Sequence, residues 1–162
     1  MIDFLVKLGI PKAYTGDVGL FLMILLVSVA LVFVVRKTKL GAFAYSVYAA
    51  YFIVESIDYV IDGYNLKIWL FLGLTFLVYY LLFRATVVVK LGGRSFEKWF
   101  KRVSVSFLIV GLMISIVVDW LPIKEAVRLL PPFWLRLFTE NIFRMFWAVA
   151  PLLAMMFLRR KE

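Results

Sequence analysis

The chain has 162 residues, of which 65% are hydrophobic and 18% aromatic, and it carries a formal net charge of +9. This composition leaves too little polar surface to cover a water-soluble globule, so it predicts an all-α integral membrane protein. The absence of cysteine and histidine excludes disulfides, thiolate catalysis, the usual zinc sites and histidine as a general base, and no cofactor is predicted.

Five apolar stretches are long enough to cross a bilayer as helices. Each one is followed closely by basic residues, by glycine or by proline. The predicted spans are residues 18–35, 40–61, 68–89, 103–121 and 141–158. Gly63 is predicted to cap the C-terminus of the second span, and Pro151 to kink the fifth near Trp147.

Three further segments are predicted to lie in the membrane interface, because each places apolar residues on one helical face and charged residues elsewhere. They are residues 1–10, 94–102 and 123–138. Pro131-Pro132 divides the last one into two short helices. The second segment carries the residues predicted to contact lipid headgroups, Arg94, Lys98, Lys101 and Arg102, although a solvated stop-transfer cluster is the alternative. The third carries aromatic and aliphatic side chains predicted to dip into lipid: Phe133, Trp134, Leu137 and Phe138.

The charged residues predict the orientation and the partners. The loops after the first and third spans and the C-terminus hold most of the 19 basic residues, but only Glu97 and Glu162 among the 10 acids. The positive-inside rule therefore predicts a multi-pass protein of the cell membrane, with its N-terminus outside and its C-terminus in the cytoplasm. Basic clusters beside apolar runs favour anionic lipid of the cytoplasmic leaflet as a partner, and no nucleic acid. Residues 1–162 are predicted to form one membrane domain, because no linker separates two cores.

The second span carries a polar stripe at helical spacing, made of Tyr48, Tyr51, Glu55, Asp58 and Asp62. Glu55 is expected about 6 Å inside the outer boundary of the hydrocarbon, where an ionised carboxylate is costly. The helix dipole is also negative at this end of the span, so the carboxylates need a compensating cation. They are therefore the predicted proton or ion site.

Arg144, near the start of the fifth span, is the predicted counter-charge, because it lies at the same depth as Glu55. We expect these two residues to face each other across the bundle. Three simpler interpretations stay open. Arg144 has a local acid four residues earlier, Glu140. Asp58 and Asp62 have the position of solvated helix-end residues, and the two tyrosines that of ordinary bundle aromatics.

Gly111 and Ser115 are spaced four residues apart in the fourth span. Small residues at this spacing let another helix approach closely, so they are predicted to be helix-packing residues.

No catalytic residue is predicted, since the chain lacks a histidine and the G-x-S-x-G motif. Asp58-x-x-x-Asp62 resembles the closing aspartates of CDP-alcohol phosphatidyltransferases, but the preceding D-G-x-x-A-R half of that motif is missing. The second half of the chain combines a basic loop, a span ending in proline, an interfacial segment and an Arg-Arg-Lys tail. In these features it resembles small colicin-V-production-type membrane proteins, although the glycine-arginine element that usually follows their first span is not evident.

Three functions fit the sequence. The first is a non-enzymatic scaffold, assembly factor or accessory subunit that binds other membrane proteins, or itself, together with lipid. The second is a small channel or transporter subunit that uses Glu55 and Asp58 as a proton or cation site. The third is a lipid-modifying enzyme at the outer interface.

Overall fold

The computed structural model describes residues 15–35, 39–61, 63–84 and 95–159. All regular structure within these ranges is helical. The helices are α1 (Thr15–Val34), α2 (Leu40–Ser56), α3 (Tyr64–Arg84), α4 (Ser95–Trp120), α5 (Ile123–Leu129), α6 (Pro132–Thr139) and α7 (Asn141–Arg159), and a 3-10 turn covers Asp58–Val60. The predicted segment 1–10 and the predicted end of the third span at residue 89 lie outside the described residues.

Helix α4 is the centre of the bundle. It contacts α1, α2, α3, α6 and α7, whereas α2 and α3 pack against each other as an antiparallel pair. One apolar cluster fills the space between α2, α3 and α4, and includes the fully buried Val47, Val54, Phe71 and Ile109. A second cluster joins α1, α4, α6 and α7 through Ile24, Val110, Trp134, Phe138 and Trp147.

Three helices are long and apolar enough to cross a membrane: α1, α3 and residues Trp99–Trp120 of α4. Residues Pro132–Thr139 and Asn141–Phe157 are bent by 70° relative to each other, and they add a fourth if the pair forms one span. Large apolar side chains cover much of the outside of the bundle, among them Phe33, Phe52, Trp69, Phe76, Ile142 and Met145.

The charged residues are divided between the two ends of the bundle. We call one the acidic end: α2 and α4 end there and α1, α3 and α7 begin there, so that it carries Asp17, Asp58 and Asp119. The other is the basic end, where Lys39 donates a hydrogen bond to the Phe83 carbonyl at 3.0 Å. This contact supplies a cation and a donor to the carbonyl end of α3, where the helix dipole is negative.

Helix α2 ends earlier than predicted, at Ser56 rather than near residue 61. The Ile57 N–H is shared between the carbonyls of Ile53 and Val54, both at 3.2 Å, and this tightening of the last turn ends the helix. The prediction that Gly63 caps α2 is therefore wrong. Gly63 precedes α3 instead, with a φ of +102° that favours glycine.

The predicted interfacial segment 94–102 and the predicted fourth span are continuous in the structure. From Ser95 to Trp120 they form one helix of 26 residues, with no proline to interrupt the hydrogen bonding. Lys101 and Arg102 are half-buried in this helix. Arg94 and the side chain of Lys98 lie outside the described part of the molecule, so their predicted lipid contacts stay predictions.

The two short helices predicted on either side of Pro131-Pro132 are confirmed as α5 and α6. The prediction that all the aromatic side chains of α6 dip into lipid is wrong for Trp134 and Phe138. These residues are four apart, so they share one helical face, and that face packs against the bundle. Phe138 is 0% exposed, whereas Phe133 is 60% exposed.

Candidate functional site

A cleft of about 430 Å³ opens at the acidic end between α2 and α7. Helix α4, which contacts both of these helices, forms its floor. We call it the polar cleft after its polar lining residues, which are Tyr48, Tyr51, Ser115, Asp119, Asn141 and Arg144. One cavity is therefore lined by residues from three separate predictions: Tyr48 and Tyr51 of the stripe, Ser115 of the packing pair, and the counter-charge Arg144.

Two tyrosines of the stripe form the α2 wall of the cleft. The Tyr48 hydroxyl donates a hydrogen bond to the Ala148 carbonyl of α7 at 2.6 Å. Pro151 lies within α7, and its missing N–H leaves the carbonyl of Trp147, the residue before Ala148, without the usual helical donor. The Tyr51 ring stacks on Trp120, with ring centroids 6.0 Å apart. These contacts connect α2 to both α4 and α7.

The charged pair of the cleft is formed by Arg144 and Asp119. Nη2 of Arg144 donates a hydrogen bond to Oδ2 of Asp119, and the two side chains are 36% and 32% exposed. A pair of Arg144 with Glu55 is not among the ion pairs of the described residues, and the prediction that these two residues face each other stays a prediction. The local alternative, Glu140, instead accepts a hydrogen bond from Nε of Arg136 at 3.0 Å. Helix α7 packs along α4, whereas the cleft lies between α7 and α2. This arrangement explains why Arg144 of α7 contacts an acid at the end of α4.

Glu55 lies one turn beyond Tyr51 and is exposed. It is close enough to interact electrostatically with the Tyr51 hydroxyl, as are Asp119 and Arg144. Within the part of the chain that the structure describes, Glu55 forms no ion pair. We therefore place it at the rim of the polar cleft.

The remaining carboxylates of the stripe separate from the cleft. Asp58 lies in the 3-10 turn and forms an ion pair with Lys67 of α3. Asp62 lies outside the described residues. The early end of α2 explains this separation, because the turn that follows directs Asp58 towards the start of α3.

The predicted packing residues lie on the α4 face that meets α6 and α7. The Ser115 hydroxyl donates a long hydrogen bond of 3.4 Å to the Phe138 carbonyl. Gly111 lies directly against the indole ring of Trp147, and a Cβ added to it would overlap that ring. The indole N–H of Trp147 in turn donates to the Leu137 carbonyl at 3.2 Å.

Asp119 and Asn141 are site residues that the sequence analysis missed. Asp119 is the last charged residue of an apolar helix, and Arg144 opens the next long helix. Both positions are expected at the same membrane boundary, which makes the contact possible but does not select Asp119 over Glu55 as the partner. The two residues are 25 positions apart in the sequence, with α5 and α6 between them, and no local signal marks the contact.

Among residues 15–35, 39–61, 63–84 and 95–159, no three acidic side chains converge as they do in a metal site. No protein-family model matches the chain, and no curated protein or solved structure was found to be similar to it.

Proposed function

We propose that the chain is a five-span protein of the cell membrane, with the acidic end outside and the basic end in the cytoplasm. The excess of lysine and arginine in the loops after the first and third predicted spans and at the C-terminus supports this orientation. Besides the three long apolar helices, α2 and α7 are the proposed further spans. With 17 and 19 residues, they reach about 26 Å and 28 Å, which is close to the thickness of a hydrocarbon core.

Within this membrane, we assign the chain a binding role, as a non-enzymatic accessory or assembly subunit. The observation that carries the assignment is the mutual pairing of charges at the acidic end. Asp119 is paired with Arg144, Asp58 with Lys67, and Glu140 with Arg136. The first two pairs link α4 to α7 and the 3-10 turn to α3, and the third is local to the end of α6, whereas transport and catalysis require groups that are free to change partner or proton.

The core between the cleft and the basic end also favours a binding role. It is lined by apolar side chains such as Val47, Val105 and Ile109. Hydroxyls buried in the bundle are engaged: those of Ser46 and Thr75 each donate to a carbonyl of their own helix. A conducting protomer needs a continuous polar route, so this core favours helix packing over ion passage.

The apolar outer surface suits contact with the helices of other membrane proteins as well as with lipid. Much of α1, α3 and α7 is exposed, and these helices present large side chains such as Phe33, Trp69 and Phe146. Such surfaces support membrane proteins as the proposed class of partner.

Flux through liposomes tests this proposal against the channel or transporter function. That function is favoured by the carboxylate of Glu55, which has no ion-pair partner among the described residues. We expect liposomes that contain the wild-type chain to show background flux of protons, Na⁺ and K⁺, and Glu55→Gln to leave it unchanged. The protein extracted from its own membrane in mild detergent is expected to migrate with a stoichiometric protein partner. Flux above background that Glu55→Gln abolishes would contradict the accessory role and assign Glu55 to transport.

A further inference from the structure

The lining of the polar cleft changes from polar at its mouth to apolar deeper inside, as in a site for an amphiphile. Its mouth holds Asp119, Asn141 and Arg144, whereas its deeper lining includes Leu112 and Ile116. From Asp119 to Leu112, α4 makes about two turns, a rise of about 10 Å. The volume of about 430 Å³ lies within the range that small-molecule sites usually occupy. A headgroup fits the mouth of such a cleft, and the start of an acyl chain fits its floor.

The mouth offers donors for a phosphate. A guanidinium carries five N–H donors, and the contact with Asp119 engages Nη2 of Arg144. The arginine side chain is also 36% exposed, so its further donors are not all enclosed by protein. The Asn141 amide and the Tyr51 hydroxyl line the same cavity. Arginine with additional neutral donors is a common arrangement for holding a phosphodiester.

The same mouth also favours a cation. Asp119, which lines the cleft, and Glu55, at its rim, both act electrostatically on the Tyr51 hydroxyl, as does the guanidinium of Arg144. The net negative charge disfavours a purely anionic lipid. An ammonium group instead can donate hydrogen bonds to the carboxylate of Glu55 and lie against the aromatic ring of Tyr51.

We infer that the polar cleft binds one phospholipid with a primary-ammonium headgroup, of the phosphoethanolamine type. Arg144 and Asn141 contact its phosphate, and Glu55 with Tyr51 contacts its ammonium group. The inference rests on the proposed membrane orientation, in which the cleft opens to the outer leaflet. It also explains how Glu55 is neutralised, since the lipid supplies the cation that the described protein residues do not.

Native mass spectrometry of the delipidated protein tests this inference. The full chain is offered an equimolar mixture of phosphatidylethanolamine, phosphatidylcholine and phosphatidylglycerol with identical acyl chains. We expect one bound phosphatidylethanolamine at several times the occupancy of the other two lipids. Glu55→Gln is expected to lower this preference about three- to fivefold, the size of effect that a partly exposed charge pair produces. Arg144→Lys, which keeps the charge but loses the planar fork, is expected to weaken retention of all three lipids.

The matched control is Asp58→Asn, which removes a carboxylate at the same end of the bundle but outside the cleft. We expect it to leave the lipid preference unchanged. In a parallel arm, soluble glycerophosphoethanolamine replaces the lipid. Its binding supports recognition through the headgroup alone, and its failure to bind while the lipid does supports a requirement for the acyl chains.

Equal retention of the three lipids, or a preference that survives Glu55→Gln, overturns the inference. The membrane proposal is judged separately, by whether the protein inserts into lipid nanodiscs at all. A chain that inserts but shows no lipid preference contradicts only the lipid site, whereas a chain that stays outside the nanodisc contradicts the proposed function.

Discussion

The substitution Phe138→Ala is expected to lower the free energy of unfolding by about 3–5 kcal/mol, as truncation of a fully buried aromatic residue usually does. The Phe138 ring lies between two indoles, with its centroid 5.8 Å from that of Trp134 and 5.4 Å from that of Trp147. Removing it leaves a cavity where α6 joins the bundle, and neither large indole can fill that cavity without moving its helix. Equilibrium unfolding in detergent micelles, followed by far-ultraviolet circular dichroism, measures the loss.

Phe133→Ala is the matched control, because it makes the same change on the same helix. The Phe133 side chain is 60% exposed and contacts Trp134 edge to face, with ring centroids 5.7 Å apart. Its loss is expected to cost less than about 1 kcal/mol. Equal effects of the two substitutions would mean that α6 lies free in the interface rather than packed against the bundle.

Gly111→Ala is expected to destabilise the bundle by about 1–3 kcal/mol, the usual cost of adding a methyl group to a close-packed interior. The added Cβ overlaps the six-membered ring of Trp147, so α4 and α7 must separate or the indole must move. The indole N–H donates to the Leu137 carbonyl, which ties its position to the end of α6. A movement of the ring therefore also disturbs the junction between α6 and α7.

Gly73→Ala is the matched control for this substitution. Gly73 is also an interior helical glycine, but a Cβ there meets no atom within 4 Å. Its replacement is expected to change the free energy of unfolding by no more than about 1 kcal/mol, in the stabilising direction, because alanine has the higher helix propensity. If both glycines tolerate alanine equally, the close approach of α4 and α7 is not required for stability.

Sequence reasoning located the helices because runs of apolar residues and their proline or basic boundaries determine them directly. It did not predict where α2 ends, because the position of the helix end is determined within its last turn. The shared hydrogen bond of the Ile57 N–H ends the helix there, although the polar spacing of the stripe continues as far as Asp62. Periodicity describes which residues would share a face if the helix continued, and it does not determine where the helix stops.

The partner of Arg144 was missed for a different reason. Depth alone made Glu55 and Asp119 equally suitable, because both lie near the same boundary. The choice depends on which helix is the neighbour of α7, and pairing between helices that are distant in sequence has no local signal. Similarly, the apolar face of α6 is compatible with either lipid or protein, and only the bundle determines that Trp134 and Phe138 face inward.

The residue types that form much of the site were predictable from the sequence. The two tyrosines, Glu55 and Arg144 were identified from their unusual position in apolar helices, whereas Asp119 and Asn141 were not. Which of these residues lie together was not predictable, because the residues of the stripe separate. The tyrosines line the cleft, Glu55 lies at its rim, and Asp58 forms an ion pair with Lys67. Arg144 is paired with Asp119, so the proposed partner of Glu55 is a ligand of the cleft.

Labelling of single cysteines in intact cells tests the proposed orientation most directly. The chain contains no cysteine, so each introduced thiol reports without background. With a membrane-impermeant maleimide, we expect Lys124→Cys, in α5, to react in intact cells. Lys98→Cys, in the basic segment before the apolar part of α4, is expected to react only after the cells are permeabilised. The opposite pattern, or equal labelling of both positions in intact cells, would contradict a membrane-spanning bundle with its acidic end outside.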